Sequence, residues 1–282
     1  MSISLISTRN TGSLKVGPPK TGVRSLNPRG QTLAEREHEG LYPGLAGKRV
    51  LITGASRGVG SAIARAFAAE GCRLVLQFRA SEDAMRQIAE EIGDKAAGLR
   101  VFQCDFRDKG AVVRFTRTAI TAFGGLDIVI DNAALAANSL PEQPGPDDFD
   151  AALELMLETS HSLSVAAASE MRRTRTRGAI VHVTAVPPGE TTARYAYYAM
   201  TRSVLERMTR DQAADWWDAG IRVNTLSPGL RMGKSALGVG TNADAESVEL
   251  AEAALFLASR EQGFMNGMSL SVDEMDQASD EE

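Results

Sequence analysis

Cysteine is nearly absent from this chain: Cys72 and Cys104 are the only two in 282 residues. Two are too few for a disulfide framework and fit a reducing compartment. The strand pattern read below sets the pair at opposite edges of a sheet. The three histidines, His38, His161 and His182, share no metal-ligand spacing, so no metal is expected. No apolar run approaches the roughly 20 residues that span a bilayer, and the first residues lack the apolar core of a secretory signal. A basic excess is missing too. The balance of 31 Lys and Arg against 36 Asp and Glu leaves a net charge of -5, which offers no broad positive field to nucleic acid or an anionic membrane.

What is present is the material of a sizeable core: 43% hydrophobic and 24% charged residues. The chain divides by composition into three parts. Residues 1–44 form a basic N-terminal extension, in which Arg9, Lys15, Lys20, Arg24 and Arg29 occur with no acid before Glu35. Such a stretch cannot bury enough apolar surface to fold alone. Its Gly and Pro content favours a flexible arm, or one laid over a neighbouring subunit; an organellar transit peptide is the alternative. The location expected is accordingly cytoplasmic, or organellar on that alternative. Residues 274–282 are an acidic, solvated tail.

Between them, residues 45–273 alternate buried-strand runs with amphipathic segments. RVLIT (49–53), RLVLQF (73–78), LRVFQC (99–104), LDIVID (126–131), AIVHVT (179–184), IRVNTL (221–226) and SLSV (269–272) read as strands. Helical patterns fill the intervals, including a long one from about Asp147 to Arg173 and another from about Tyr195 to Ala219. Seven strands separated by helices demand right-handed crossovers and a parallel sheet covered on both faces. The fold expected is a single α/β domain, doubly wound in the Rossmann manner.

The first strand runs into TGASRGVG (53–60) and then a helix, the context that gives a glycine pattern meaning. Gly54 allows the tight turn, Gly58 lets backbone approach a pyrophosphate, and Gly60 lets the helix pack close, with the helix N-terminus aimed at the anion. The second strand ends in LQFRAS, with Phe78 where a binder of NAD usually has an acid for the ribose 2′-hydroxyl. Arg79 and Ser81 follow, and Arg57 can reach the same point. Guanidinium groups there suit a 2′-phosphate, so NADP(H) is the cofactor expected.

These motifs, with Asp105, DNAA (131–134), GIRVN (220–224) and SPG (227–229), resemble the short-chain dehydrogenase/reductase family from about Leu45 to Asp273. The resemblance implies an NAD(P)-dependent oxidoreductase. It further implies a dimer or tetramer formed through the two long helices and the last strand, and a small-molecule carbonyl substrate. Asp105 is implied at the adenine edge. Ser56, Val59, Phe106, Asn132, Ala133, Tyr198, Arg202, Pro228 and Gly229 join the implied cofactor contacts.

The family's catalytic tetrad of Asn, Ser, Tyr and Lys carries over in part. Tyr198 matches the tyrosine in YAMTRS, Arg202 stands for the lysine, Ala185 falls on the serine, and Met156 falls on the asparagine. Arginine keeps a cation but does not readily release a proton, and its planar fork is bulkier than an ammonium. Alanine removes an oxyanion donor, a change of a kind that costs on the order of a hundredfold or more in rate. Thr184 is adjacent, but strand alternation turns it to the other face. A neutral phenol can still donate a proton, which favours reduction over oxidation. Three functions stay open: an NADPH-dependent carbonyl reductase using Tyr198, a catalytically silent NADP-binding sensor or subunit of a mixed oligomer, and a non-redox lyase or isomerase on the same scaffold. The first is favoured.

Overall fold

The computed structural model describes residues 41–108, 110–132, 145–184, 192–228, 243–260 and 263–272. After a short 3-10 turn at Pro43–Leu45, β1 (Arg49–Ile52), α1 (Gly58–Ala69), β2 (Arg73–Phe78), α2 (Glu82–Ile92), β3 (Gly98–Gln103) and α3 (Ala111–Ala122) alternate strictly. They are followed by β4 (Ile128–Asp131), α4 (Pro146–Arg173), β5 (Ala179–Val183), α5 (Thr192–Asp215), β6 (Arg222–Pro228), α6 (Ala243–Ala258) and β7 (Ser269–Val272). The strands form one seven-stranded sheet in the order β3-β2-β1-β4-β5-β6-β7. Every pairing is parallel, as the alternation requires.

The continuous apolar runs are explained by burial on both faces of the sheet. Along β1, Val50 and Ile52 join the core beneath α1, α2 and α6, while Leu51 joins the core beneath α3, α4 and α5. The same alternation holds on β4, where Ile128 and Ile130 face one way and Val129 the other. Strand order reverses between β1 and β4. The carboxyl ends of the strands there open the crevice in which doubly wound sheets bind ligands.

The expected position of the cysteines needs correction. Cys72 precedes β2 and Cys104 follows β3, so the two lie on neighbouring strands at opposite ends rather than at opposite edges of the sheet. Both are buried free thiols. Burial pushes Cys72 up to about 12 and Cys104 up to about 11. None of the described helices is long and apolar enough to cross a membrane, and the described residues hold no cluster suited to a metal ion.

Candidate functional site

The turn between β1 and α1 is fixed by glycine geometry and by one side chain that motif reading misses. Gly54 adopts φ +64° and Gly58 φ +52°, conformations that favour glycine. A Cβ at Gly60 would collide with the Gly54 carbonyl oxygen and come within 2.5 Å of Asn132 Nδ2. Gln77 on β2 accepts from Gly54 N–H at 2.9 Å and donates through Nε2 to the Cys104 carbonyl at 2.6 Å, tying the turn to β2 and the end of β3. Asn132 holds the loop rather than reaching out of it. Its Nδ2 donates to the Thr53 and Gly54 carbonyls at 3.3 Å, and its backbone N–H donates to Thr53 Oγ1 at 2.9 Å.

Among the described residues no side chain caps the N-terminus of α1, whose N-cap residue is the extended Arg57. Its first-turn N–H groups and the dipole behind them present a site for an anion. Phe78, at the position of the missing acid, is only 1% exposed and belongs to the core. Arg79, the next residue, and Arg57 in the glycine turn are exposed, and neither forms an ion pair among the described residues. Ser81 precedes α2 with its hydroxyl outside any cap bond. A close-packed glycine cradle, an uncapped helix start and two unpaired guanidinium groups fit a dinucleotide with phosphate on its adenosine half.

Asp105 is less open than expected. The Arg107 guanidinium grips both carboxylate oxygens, with Nε at 3.0 Å from each, and holds the carboxyl below its usual range. Phe106 is half-buried against Phe115.

On the reaction side, Tyr198 and Arg202 lie one turn apart on α5. Ala133, Ala185, Gly229 and the side chain of Tyr198 lie outside the described residues. Met156 is fully buried on α4 and carries no strong donor. Arg202 is committed elsewhere: Nε donates to Glu206 at 2.9 Å and Nη2 to Ser271 on β7 at 2.8 Å. Burial pushes the Glu206 carboxyl up, but hydrogen bonds from Arg202 and Ser269 outweigh it and leave the carboxyl below its ordinary value. Thr184 is buried and donates to Ser227 at 2.7 Å, so its hydroxyl proton is in use inside the sheet. Pro228 closes β6 beside that pair.

A buried polar chain runs beneath this end of the sheet. Thr53 meets Asp131 at 3.4 Å, Asp131 meets His182 Nδ1 at 3.0 Å, and His182 Nε2 lies 3.5 Å from Gln212 on α5. Gln212 then donates to Ser164 on α4 at 2.8 Å. The chain joins the glycine turn to both long helices. The departures in sequence that could have signalled it are an acid opening DNAA and a histidine inside an apolar strand.

Residues 54–274 match the family model described as Enoyl-(Acyl carrier protein) reductase. The chain is 30% identical over 242 residues to D-threitol dehydrogenase of Mycolicibacterium smegmatis, covering 81% of this chain and 92% of that protein. Among solved structures, a short chain dehydrogenase from Burkholderia cenocepacia in complex with NADP shares 27% identity, with a TM-score of 0.67 over 82% of this chain and 98% of that one. A 7 alpha-hydroxysteroid dehydrogenase complexed with NADH and 7-oxo glycochenodeoxycholic acid also shares 27% identity, with a TM-score of 0.70 over 82% and 94%.

Proposed function

From the premise that the chain belongs to the short-chain dehydrogenase/reductase family of oxidoreductases, which bind a nicotinamide cofactor, we propose that it reduces a small carbonyl compound and prefers NADPH to NADH. The observation that carries the cofactor preference is the end of β2. Phe78 is packed in the core where an acid would take a ribose hydroxyl, Arg79 follows it, and Arg57 stands in the glycine turn, both exposed and outside any ion pair among the described residues. Gly54, Ser56, Gly58, Val59 and Gly60 hold the diphosphate by backbone approach. Asp105, Phe106, Asn132, Ala133, Pro228 and Gly229 frame the rest of the cofactor cleft. When bound, the reduced nicotinamide supplies a hydride.

Tyr198 donates the proton to the substrate oxygen from its neutral phenol, the form that prevails near pH 7. Arg202 acts as a fixed positive charge one turn further along α5, anchored by Glu206 and Ser271. The acting unit is residues 45–273, flanked by a basic arm and an acidic tail. It assembles as a homodimer or homotetramer, a reading supported by Val165 on α4 and Met200 and Val204 on α5, large apolar side chains 38%, 59% and 37% exposed.

A silent NADP-binding protein is the second reading. It is favoured by the engagement of the Arg202 guanidinium with Glu206 and Ser271 and by the use of the Thr184 hydroxyl within the sheet. The deciding experiment follows the loss of NADPH absorbance against ketones, quinones, ketoacyl thioesters and pterins, with Tyr198→Phe beside the native protein. Turnover that falls on the order of a hundredfold or more in the variant upholds the reductase. NADPH binding without turnover of any compound upholds the silent reading.

A further inference from the structure

At the pole opposite the cofactor cleft, the amino ends of β4, β5 and β6 border a cavity of about 520 Å³. It lies some 15 Å from the carboxyl ends, by the rise of a five-residue strand such as β5. Its walls include Lys48, Arg177, Arg222 and Arg260, against two acids, Asp127 and Asp218. Asp127 is already satisfied: it accepts from Arg49 Nε at 2.7 Å, Arg49 Nη2 at 3.1 Å and Arg49 N–H at 2.9 Å. Other nearby carboxylates are spent likewise, Glu170 on Arg173 and Glu70 on the N–H groups of Leu41 and Tyr42. Among the described residues, Lys48, Arg177 and Arg260 enter no ion pair, although the charge of Lys48 is felt by Asp127, and Asp218 is exposed at the rim.

Arg222 adds a buried cation. It is 8% exposed, and its guanidinium donates to the carbonyls of Leu257, Ala258, Ser259 and Met265 at 2.7–3.4 Å, with no carboxylate among its described partners. Those carbonyls at the C-terminal end of α6 offset part of the Arg222 charge, so the positive character of the cavity rests chiefly on Lys48, Arg177 and Arg260. One wall carries a flat apolar surface. Trp217 is 59% exposed, and three residues on, Gly220 at φ +68° leaves room for Arg177, whose Nε would lie 2.7 Å from a Cβ there. The guanidinium stem thus lies over the same turn that presents the indole.

We propose that this cavity binds a phosphomonoester carrying a flat ring. Arg177, Lys48 and Arg260 receive the phosphate and Trp217 receives the ring. The volume exceeds what a phosphate alone needs and falls within the range of small-ligand pockets. Fork-shaped arginines suit phosphate, and indole offers the better stacking face.

The test is calorimetric titration of the full-length protein, carrying one equivalent of NADP+ in the cofactor cleft, with phenyl phosphate. Saturable binding is expected. Arg177→Gln should weaken it at least tenfold, and Trp217→Ala should bring its affinity down to that of inorganic phosphate. Arg177 and Trp217 are exposed, so both variants keep the fold, and an unchanged thermal midpoint verifies this. Arg57→Ala, at the cofactor loop, should leave phenyl phosphate binding as it was. AMP in place of phenyl phosphate separates the sources: tighter binding assigns nucleoside esters and weaker binding assigns simple aryl esters, and either upholds the site. Absence of saturable binding, or binding indifferent to both variants, would overturn the proposal.

Discussion

His182 on β5 and Asp131 on β4 face each other across adjacent strands at 3.0 Å, each with a side chain only 1% exposed. Asp131 stands where the family's usual motif has asparagine, and its carboxylate has only His182 and Thr53 as side-chain partners among the described residues. Removing the imidazole strands a buried acid. His182→Leu leaves a buried polar group without its partner and should therefore destabilise the protein by about 1–3 kcal/mol in urea unfolding. Asp131→Asn keeps a hydrogen-bonding amide of the same shape and should cost clearly less. Equal losses would mean that the pair acts only by filling space.

The glycine turn separates two kinds of requirement. At Gly58 a methyl group meets nothing within 4 Å, and only the φ of +52° opposes it, so Gly58→Ala should cost about 1 kcal/mol. At Gly60 the methyl would strike the Gly54 carbonyl and Asn132, so the turn itself must shift. Gly60→Ala should cost about 1–3 kcal/mol and reduce NADPH affinity far more than Gly58→Ala does. Thermal unfolding and equilibrium dialysis of the two variants provide the comparison.

On the proposed reading, Arg57 and Arg79 receive the 2′-phosphate, the one group that distinguishes NADPH from NADH. A hydrogen bond to a charged group contributes about 1.5–3 kcal/mol, so alanine at either position should weaken NADPH by about tenfold to a hundredfold. NADH should bind the variants as it binds the native protein. Measured dissociation constants for both cofactors with each variant check this, and equal losses for NADH would shift the preference to some other feature.

The fold was legible because two-sided burial writes the central strands β1, β4 and β5 as largely apolar runs, and because a glycine turn lets a helix pack close above a strand. The cofactor end was legible for the same reason at Gly54, Gly58 and Gly60. The partnerships were not. Nothing local indicates that Gln77 clamps the turn, that Arg107 grips Asp105, or that Arg202 reaches Ser271, 69 residues away. The two cysteines were misassigned because a sequence numbers its strands in chain order, whereas the sheet sets β3 beside β2 at its edge and not across it.

Acid should loosen the base of the sheet through Asp127. Burial pushes this carboxyl up, but the hydrogen bonds and charge of Arg49 outweigh it and lower its folded pKa. Its contribution is thus present above the unfolded value of about 4, and it is lost as pH falls through the folded value. Glu206, also lowered, adds in the same direction. Asp127→Asn should lose about 1–3 kcal/mol at neutral pH and show a flatter decline below about pH 4 than the native protein. Urea unfolding at several pH values measures both slopes. A parallel decline would assign acid sensitivity to other carboxylates.

Arg202 provides the sharpest test of whether Tyr198 works with a substitute or despite it. The arginine fork spans two partners, Glu206 and Ser271, at 2.9 and 2.8 Å, and a lysine, a single point charge on a flexible stem, cannot hold both in that geometry. Arg202→Lys should free a cation that lowers the phenol pKa and exchanges protons. Turnover should rise by about tenfold or more, with the pH-rate profile moved to lower pH. Arg202→Ala should reduce turnover while leaving stability within about 1 kcal/mol, the usual value of a half-exposed ion pair. If the lysine variant instead turns over more slowly than the native protein, the anchored guanidinium is the working cation and its bonds to Glu206 and Ser271 are part of the active arrangement.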